Sequence, residues 1–336
     1  MKSTTGKVAA LLVVGALTLS GCSLIGEVGQ VGGSMAEEAA LNAELDALRG
    51  RIIDLDGVTD ATATLEIEGD YEFYVEFAVT ADELSEPVAA QIVEEIGDAF
   101  SAGTLAKQNG FVGLEAADDS SLSWNTLALV GQDLSGEVEY WFALQEAFGS
   151  PLRVGLYGED QAAGDAPYLS SIATYAPGAT PDWDSLRAVP DTTGAARTWQ
   201  LYGVDVVGSL PPEPVTDVLA DLTSTLGESF GMQWDGPKEA LTVAVYSAEL
   251  TTGTPVEQTP AWDALRDAVA LLAVAPVRSS TFSYYGEDQS GKFAVHLGVC
   301  EGGLRETPLD ASFLAALTAA GALDGVEAAP GICLPA

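Results

Sequence analysis

The chain is poor in basic residues, histidine and cysteine. Thirteen Lys and Arg stand against fifty Asp and Glu in 336 residues, a formal net charge of −37. Nucleic-acid binding rests on Lys and Arg reaching phosphates, so this balance excludes that partner. It equally excludes a polybasic contact with anionic lipid. A single histidine, His296, removes multi-histidine metal centres. His296 and Cys300 lie four apart, but on a strand that spacing separates side chains by about 13 Å, too far to share zinc. No glycine loop followed by Lys offers a phosphate cradle. Apolar runs long enough to span a bilayer, roughly 20 residues, are also missing. The nearest internal candidate, Ala264 to Val277, is interrupted by Arg266, Asp267 and Pro276. The remaining composition is that of a folded chain: hydrophobic residues make up 47% and charged residues 19%, which provides a core rather than a disordered polyelectrolyte.

The N-terminus is the most specific segment. Lys2 and Lys7 precede an apolar run from Val8 to Leu19, which meets Leu19-Ser20-Gly21-Cys22. A basic start, a short apolar stretch and small residues before a cleavage point make a signal peptide. The small residues directly before Cys22 resemble the lipobox of bacterial lipoproteins. That resemblance covers residues 1–22. It implies a diacylglyceryl group on the Cys22 thiol, cleavage just before it, and a lipid-anchored extracytoplasmic protein. Two acyl chains, at about 0.8 kcal/mol per buried methylene, hold durably where one does not. Cleavage removes two lysines and no acid, leaving eleven basic against fifty acidic residues. With Cys22 lipidated, Cys300 and Cys333 remain as an even pair in an oxidising compartment, and a disulfide between them is expected. It would close a loop of 33 residues, worth about 3–4 kcal/mol in the chain-entropy model.

The expected layout is a signal peptide over 1–21, a flexible lipidated tether over 22–36, and three α+β modules over 37–158, 159–236 and 237–336, the third holding the disulfide. Leu41, Leu45 and Leu48 space a helix over 36–49. Thr62 to Glu68 and Glu72 to Thr80 alternate around Gly69-Asp70 as a hairpin. Val88, Ile92, Val93, Ile96 and Phe100 make one face of a helix over 83–100. Strands are then expected at 111–116, 122–130, 152–157 and 168–175, one extended run at 196–207, a single strand at 241–248, a hairpin over 281–299 and a last strand at 323–328, with helices between them. Fragments repeat: Tyr157-Gly158-Glu159-Asp160 returns as Tyr285-Gly286-Glu287-Asp288 and loosely at Tyr202-Gly203. Trp183-Asp184-Ser185-Leu186-Arg187 returns as Trp262-Asp263-Ala264-Leu265-Arg266. These repeats predict duplication of a unit of about 45 residues. The β-α-β-β-α-β order read over 240–330 predicts ferredoxin-like, split-βαβ modules with antiparallel sheets. The order of elements from Gly57-Val58 through the 83–100 helix resembles the BON domains of bacterial envelope proteins. That resemblance rests on element order and one Gly-Val turn.

No catalytic or metal residue and no cofactor emerges. Gly227-Glu228-Ser229-Phe230-Gly231 matches the nucleophile-elbow spelling, but the elbow needs a strand before the serine and a helix after it. Here a helix precedes Ser229, and Gly227 reads as its cap. Asp54, Asp56 and Asp60 miss the EF-hand spacing, since glycine falls at position four and Leu65 at twelve. Glu159, Asp160, Asp165, Glu287 and Asp288 read as solvated hairpin loops. Six tryptophans, at 124, 141, 183, 199, 234 and 262, could stack sugars, but the repeat positions of Trp183 and Trp262 favour a core role. The functional expectation is an anchored binding or scaffolding protein of the envelope, with a protein or glycan partner. An envelope hydrolase or carbohydrate-active enzyme would instead gather two carboxylates of perturbed pKa in a cleft. A solute-binding component of a transporter would show a deep cleft between domains. On this reading, Cys300 and Cys333 resist alkylation in the native protein and label only after reduction; labelling without reductant contradicts the disulfide.

Overall fold

A computed structural model of the chain describes residues 24–68, 72–129, 131–158, 166–174, 181–201, 203–227, 230–246, 254–285, 293–298 and 308–323. The fold is α+β. It opens with helix α1 (Leu24–Ile53), followed by strands β1 (Val58–Glu68) and β2 (Glu72–Ala81) and helix α2 (Glu86–Ser101). The same two-strands-then-helix unit then recurs. β3 (Asn109–Ala116) and β4 (Ser121–Asn125) lead to α3 (Ser135–Phe148). β5 (Arg153–Tyr157) and β6 (Leu169–Ala173) lead to α4 (Trp183–Ala188). β7 (Ala196–Leu201) and β8 (Val204–Val207) lead to α5 (Glu213–Leu226). β9 (Phe230–Asp235) and β10 (Ala240–Tyr246) lead to α6 (Trp262–Ala273). β11 (Ser279–Tyr285) and β12 (Phe293–Gly298) lead to α7 (Pro308–Ala319).

All twelve strands lie in one sheet, in chain order from β1 to β12. Within each unit the strands pair antiparallel; between units the facing strands pair parallel, as β2 with β3 and β4 with β5. Each helix from α2 to α6 is the crossover between two neighbouring parallel strands. This differs from the expected split-βαβ order, in which a crossover skips a strand and leaves a slot between the two it joins. The repeat predicted from Tyr-Gly and Trp-Asp-x-Leu-Arg is present, but as one continuous array. The expected module limits at 158/159 and 236/237 fall inside the β5–β6 and β9–β10 hairpins, across which the sheet is hydrogen-bonded.

The helices cover one face of the sheet. Each packs against the next, from α1 to α6, and Trp262 of α6 meets Phe313 of α7 edge-on. On that side Phe77, Val112, Leu114, Leu122, Trp124, Val154, Ile172, Trp199, Trp234, Val243 and Phe282 alternate inward from successive strands into one core. Period-2 alternation in matched register is what keeps this set on a single face. β2, β6 and β10 run opposite to β4 and β8, yet every crossover advances the same way and lays its helix on the same side. The crossovers therefore alternate in hand, and the right-handed rule holds for only one of the two sets.

α1 begins twelve residues before the periodicity predicted, so the segment expected as a flexible tether is helical from Leu24. Leu41, Leu45, Leu48 and Ile52 bury one side of α1 against the sheet and α2, and residues 35–40 before them are exposed. Helix propagation costs less than nucleation, so the packed half extends into the glycine-containing half. The Glu44 carboxylate accepts from the backbone N–H groups of Thr104 and Leu105, tying α1 to the turn after α2. The last strand expected at 323–328 lies outside the described residues.

α1 enters β1 through Gly57, at φ +79°. A Cβ there would stand 2.5 Å from the carbonyl oxygen of Glu83. Both the left-handed backbone and the close approach select glycine. Gly57→Ala is expected to cost about 1–3 kcal/mol, read as a lower urea midpoint with an unchanged denaturant slope.

Candidate functional site

Two places in the molecule concentrate polar side chains: a buried network under the helices and the uncovered face of the sheet. The network centres on Arg197, which alternates with Trp199 and Leu201 on the core side of β7. Glu137, in the first turn of α3, faces it; the two residues are 7% and 1% exposed. Arg197 Nη1 lies 2.8 Å from Glu137 Oε1, and Arg197 Nε lies 2.8 Å from Asp191 Oδ2. Nη2 donates to Asp191 Oδ1 and to Thr193 Oγ1. Tyr168 Oη, just before β6, and Ser170 Oγ, in β6, donate to the two oxygens of Glu137. The guanidinium carbon sits 4.5 Å from the centre of the Tyr140 ring.

Electrostatics follow from this packing. Burial opposes charge on Asp191, but the Arg197 hydrogen bonds and charge outweigh it and hold the carboxyl below its ordinary range. Burial also opposes the Arg197 cation, and the two carboxylates reverse that and raise it. Tyr140 and Tyr168 are pushed well above the usual phenol value, chiefly by burial. Every nitrogen of Arg197 and both oxygens of Glu137 are engaged within the network. Nothing in it is left to hold a substrate. Its chemistry is that of a buried, mutually satisfied ion group joining α3, β6, β7 and the loop before β7. The sequence signal for it is a lone charge at an inward position of an alternating strand.

Among the described residues no helix lies on the other face of the sheet. Register aligns its outward residues in rows across the strands. One row reads Thr62, Ala78, Gly113, Ser123, Gly155, Ser171, Thr198, Val207, Asp235, Ala240 and Ser279 from β1 to β11. It crosses the sheet as a trough of small side chains with one charge. At strand spacings of about 4.8 Å it is roughly 50 Å long. Larger residues border it. On one side stand Phe111, Asn125 and Tyr157; on the other, Glu115, Arg153, Gln200, Asp205 and Gln233. Six residues along β10 and β11 from Ala240 and Ser279, about 20 Å away, Tyr246 and Tyr285 stack with ring centres 5.2 Å apart. A hollow of about 550 Å³ opens beside the trough, lined by Asn109, Phe111, Ser123, Asn125, Leu127 and Tyr157 among others.

The paired acids expected of a hydrolase do not gather among the described residues. Asp133 and Asp182 sit below the ordinary carboxylate range, each through hydrogen bonds at the start of a helix. Glu44 is lowered by its backbone donors against the effect of burial. Asp205 is raised by desolvation, and its neighbours in register are Gln200 and Gln233, not acids. No three His, Cys, Asp or Glu side chains cluster as a metal centre among the described residues. Gly227 follows α5 at φ +74° and β9 begins at Phe230, the reverse of the strand-then-helix order of a nucleophile elbow. His296 lies in β12, paired with Thr281. Cys22, Cys300, Cys333, Ser229 and the acidic hairpin loops at 159–165 and 286–290 lie outside the described residues. Trp124, Trp141, Trp183, Trp199 and Trp234 are buried, and Trp262 packs on Phe313. The tryptophans are core residues; among the described residues the exposed rings are Phe111, Tyr157 and Tyr246.

A structural role for the ion group has a defined signature. Arg197→Met is expected to destabilise the fold by about 3–5 kcal/mol, because it strands a buried carboxylate. Adding Glu137→Leu to it should restore most of that loss, measured by thermal unfolding; a double variant as unstable as the single one contradicts this account. No family model, no curated protein and no solved structure matches this chain, so function must be argued from its own geometry.

Proposed function

We propose that the chain is a lipid-anchored protein of the cell envelope that binds a partner through the uncovered face of its sheet and catalyses no reaction. One observation carries this reading. Among the described residues the twelve-stranded sheet is packed on one side only, and its other side presents a long row of hydroxyl, glycine and alanine positions, broken by Val207 and Asp235, in a strongly acidic chain. Uncovered sheet faces in water ordinarily alternate with charged and long polar side chains. A face smoothed by small residues lets another surface approach the backbone closely.

The anchor reading rests on the sequence from Lys2 to Cys22. No described helix is long and apolar enough to cross a membrane, so attachment would fall to the lipid. α1 starts two residues after Cys22. Its part before Leu41, residues 24–40, would stand about 25 Å long at 1.5 Å per residue. It serves as a stalk instead of a flexible tether. The hydrolase alternative lacks an acid and base pushed apart in pKa among the described residues. The solute-binding alternative calls for a cleft between domains, whereas the described strands form one unbroken sheet.

Two measurements test the proposal together. Cys22→Ala should move the protein from the membrane fraction to the soluble fraction; retention by the membrane contradicts the anchor. The released chain should bind washed envelopes saturably, and Ser171→Arg with Thr198→Arg, which block the middle of the trough, should abolish that binding. Undiminished binding by that double variant contradicts the face.

A further inference from the structure

We infer that the hollow at the Phe111 and Tyr157 edge of the uncovered face binds a neutral oligosaccharide. This rests on the reading of that face as the binding face and specifies what one end of it holds.

The first observation is where exposed apolar groups gather. Phe111, Leu127 and Tyr157 are 41%, 50% and 40% exposed, and all three line this one hollow. Scattered surface apolar residues are ordinary; a group of three around a concavity marks a binding patch. The volume of about 550 Å³ falls in the range of small-ligand sites.

The second observation is how the rings lie. Each has a glycine two residues away on the same strand and the same face. The Phe111 ring reaches within 3.8 Å of where a Cβ on Gly113 would be. The Tyr157 ring and hydroxyl reach within 2.9–3.3 Å of where a Cβ on Gly155 would be. Tyr157 thus lies down over Gly155 and leaves its other side to solvent. Register supplies the third element. Phe111 pairs with Asn125, and Trp124 pairs with Leu156, which sets Asn125 beside Tyr157. The row is therefore ring, amide, ring, with the rings two strand spacings, about 9.5 Å, apart. Ser123 lies one row in, between Gly113 and Gly155. The Asn125 side chain is fixed by accepting from the backbone N–H of Ala128.

This is the chemistry that recognises sugars. A pyranose has an apolar C–H face that stacks on an aromatic ring and equatorial hydroxyls that both donate and accept. Asn109, Ser123 and Asn125 offer donors and acceptors of both kinds. Among the described residues no charged side chain lines the hollow, and Glu76 pairs with Phe111 on the neighbouring strand. Together with the net charge of −37, this disfavours phosphorylated, sulfated and uronic-acid chains. An apolar peptide would use Phe111 and Leu127 but would leave the amide row unpaired, which is costly on burial.

The test uses the purified lipoprotein in lipid nanodiscs. It is titrated calorimetrically with cellohexaose, maltohexaose and hexa-N-acetylchitohexaose, all uncharged, to millimolar concentration. At least one should bind, and Phe111→Ala and Tyr157→Ala should each weaken it about tenfold or more. Gly155→Ala provides a variant that keeps the fold: its methyl meets the flexible end of Tyr157, not backbone. It should leave thermal stability unchanged while lifting the ring and weakening binding to a similar degree. Absence of binding by all three sugars overturns the inference, as does binding indifferent to these variants. If sugars fail while Ser171→Arg with Thr198→Arg still abolishes envelope binding, the face reading stands and its partner is a polypeptide. If envelope binding survives that double variant, the face reading itself fails.

Discussion

The constraint on which the structure depends is the two-residue period of side chains, held in register through twelve strands. Each inward residue of one strand pairs with an inward residue of the next, from Phe77 through Val112, Trp124 and Leu156 onward. A slip of one residue anywhere would turn a strand's apolar set to solvent and present its Ser, Thr and Gly positions to the helices. The core and the trough are therefore two results of one alternation. Neither can be altered without the other, and the narrowness of the trough reflects small residues chosen only at outward positions.

Sequential pairing adds a second consequence. Every crossover joins neighbouring strands, so contacts are mostly between adjacent units, as in solenoid repeats. Such an array has no central element that fixes the whole. The Glu137–Arg197–Asp191 group supplies a local substitute where α3, β6, β7 and the loop before β7 meet. A hydrophobic replacement would pack in several rotamers; a guanidinium with all its donors engaged admits one arrangement. Buried ion groups are weak sources of net stability but can specify geometry. Here that geometry sits at the middle of the sheet, under the trough residues Ser171 and Thr198, which pair in register with each other.

Much of this was legible in the sequence, and the misreading has a traceable cause. The alternating runs and amphipathic faces locate most strands and helices, and the repeated Tyr-Gly and Trp-Asp fragments reveal the unit. One strand is hidden. Phe230 to Asp235 alternates correctly, with Met232 and Trp234 inward, but Gly231 and the Asp-Gly-Pro that follows read as a turn. Without β9, β10 stands alone before a helix and a hairpin, which spells the ferredoxin-like order. With β9 paired to β10, the same text is another two-strand unit. The buried ion group was hidden for a different reason: local pattern shows that Arg197 points inward but not that Glu137, sixty residues away, meets it. The exposed rings were masked by the tryptophans, whose size drew attention to residues that the core absorbs. What distinguishes Phe111 and Tyr157 is the glycine two positions away, a small signal that gains meaning only once the outward face is known.

The length of α1 sets how the proposed anchor and the proposed face can work together. With Cys22 in the outer layer of a membrane, fifty acids against eleven bases would repel an anionic surface. Salt confines that repulsion to about 8 Å at physiological ionic strength. Electrostatics can therefore keep the domain from lying on lipid but cannot hold it further out. The part of α1 before Leu41, about 25 Å of helix, exceeds that distance about threefold. Its packed part is fastened to β1 and α2 through Leu41, Leu45, Leu48 and Ile52 and to the turn after α2 through Glu44. Rotation of the stalk is then transmitted to the edge of the sheet. A rigid stalk joined to one edge swings the trough through a defined arc, where a flexible linker would let it sample all orientations. Reach and orientation of the proposed binding face would thus be set by helix propagation from residue 41 back toward residue 24, not by the surface charge.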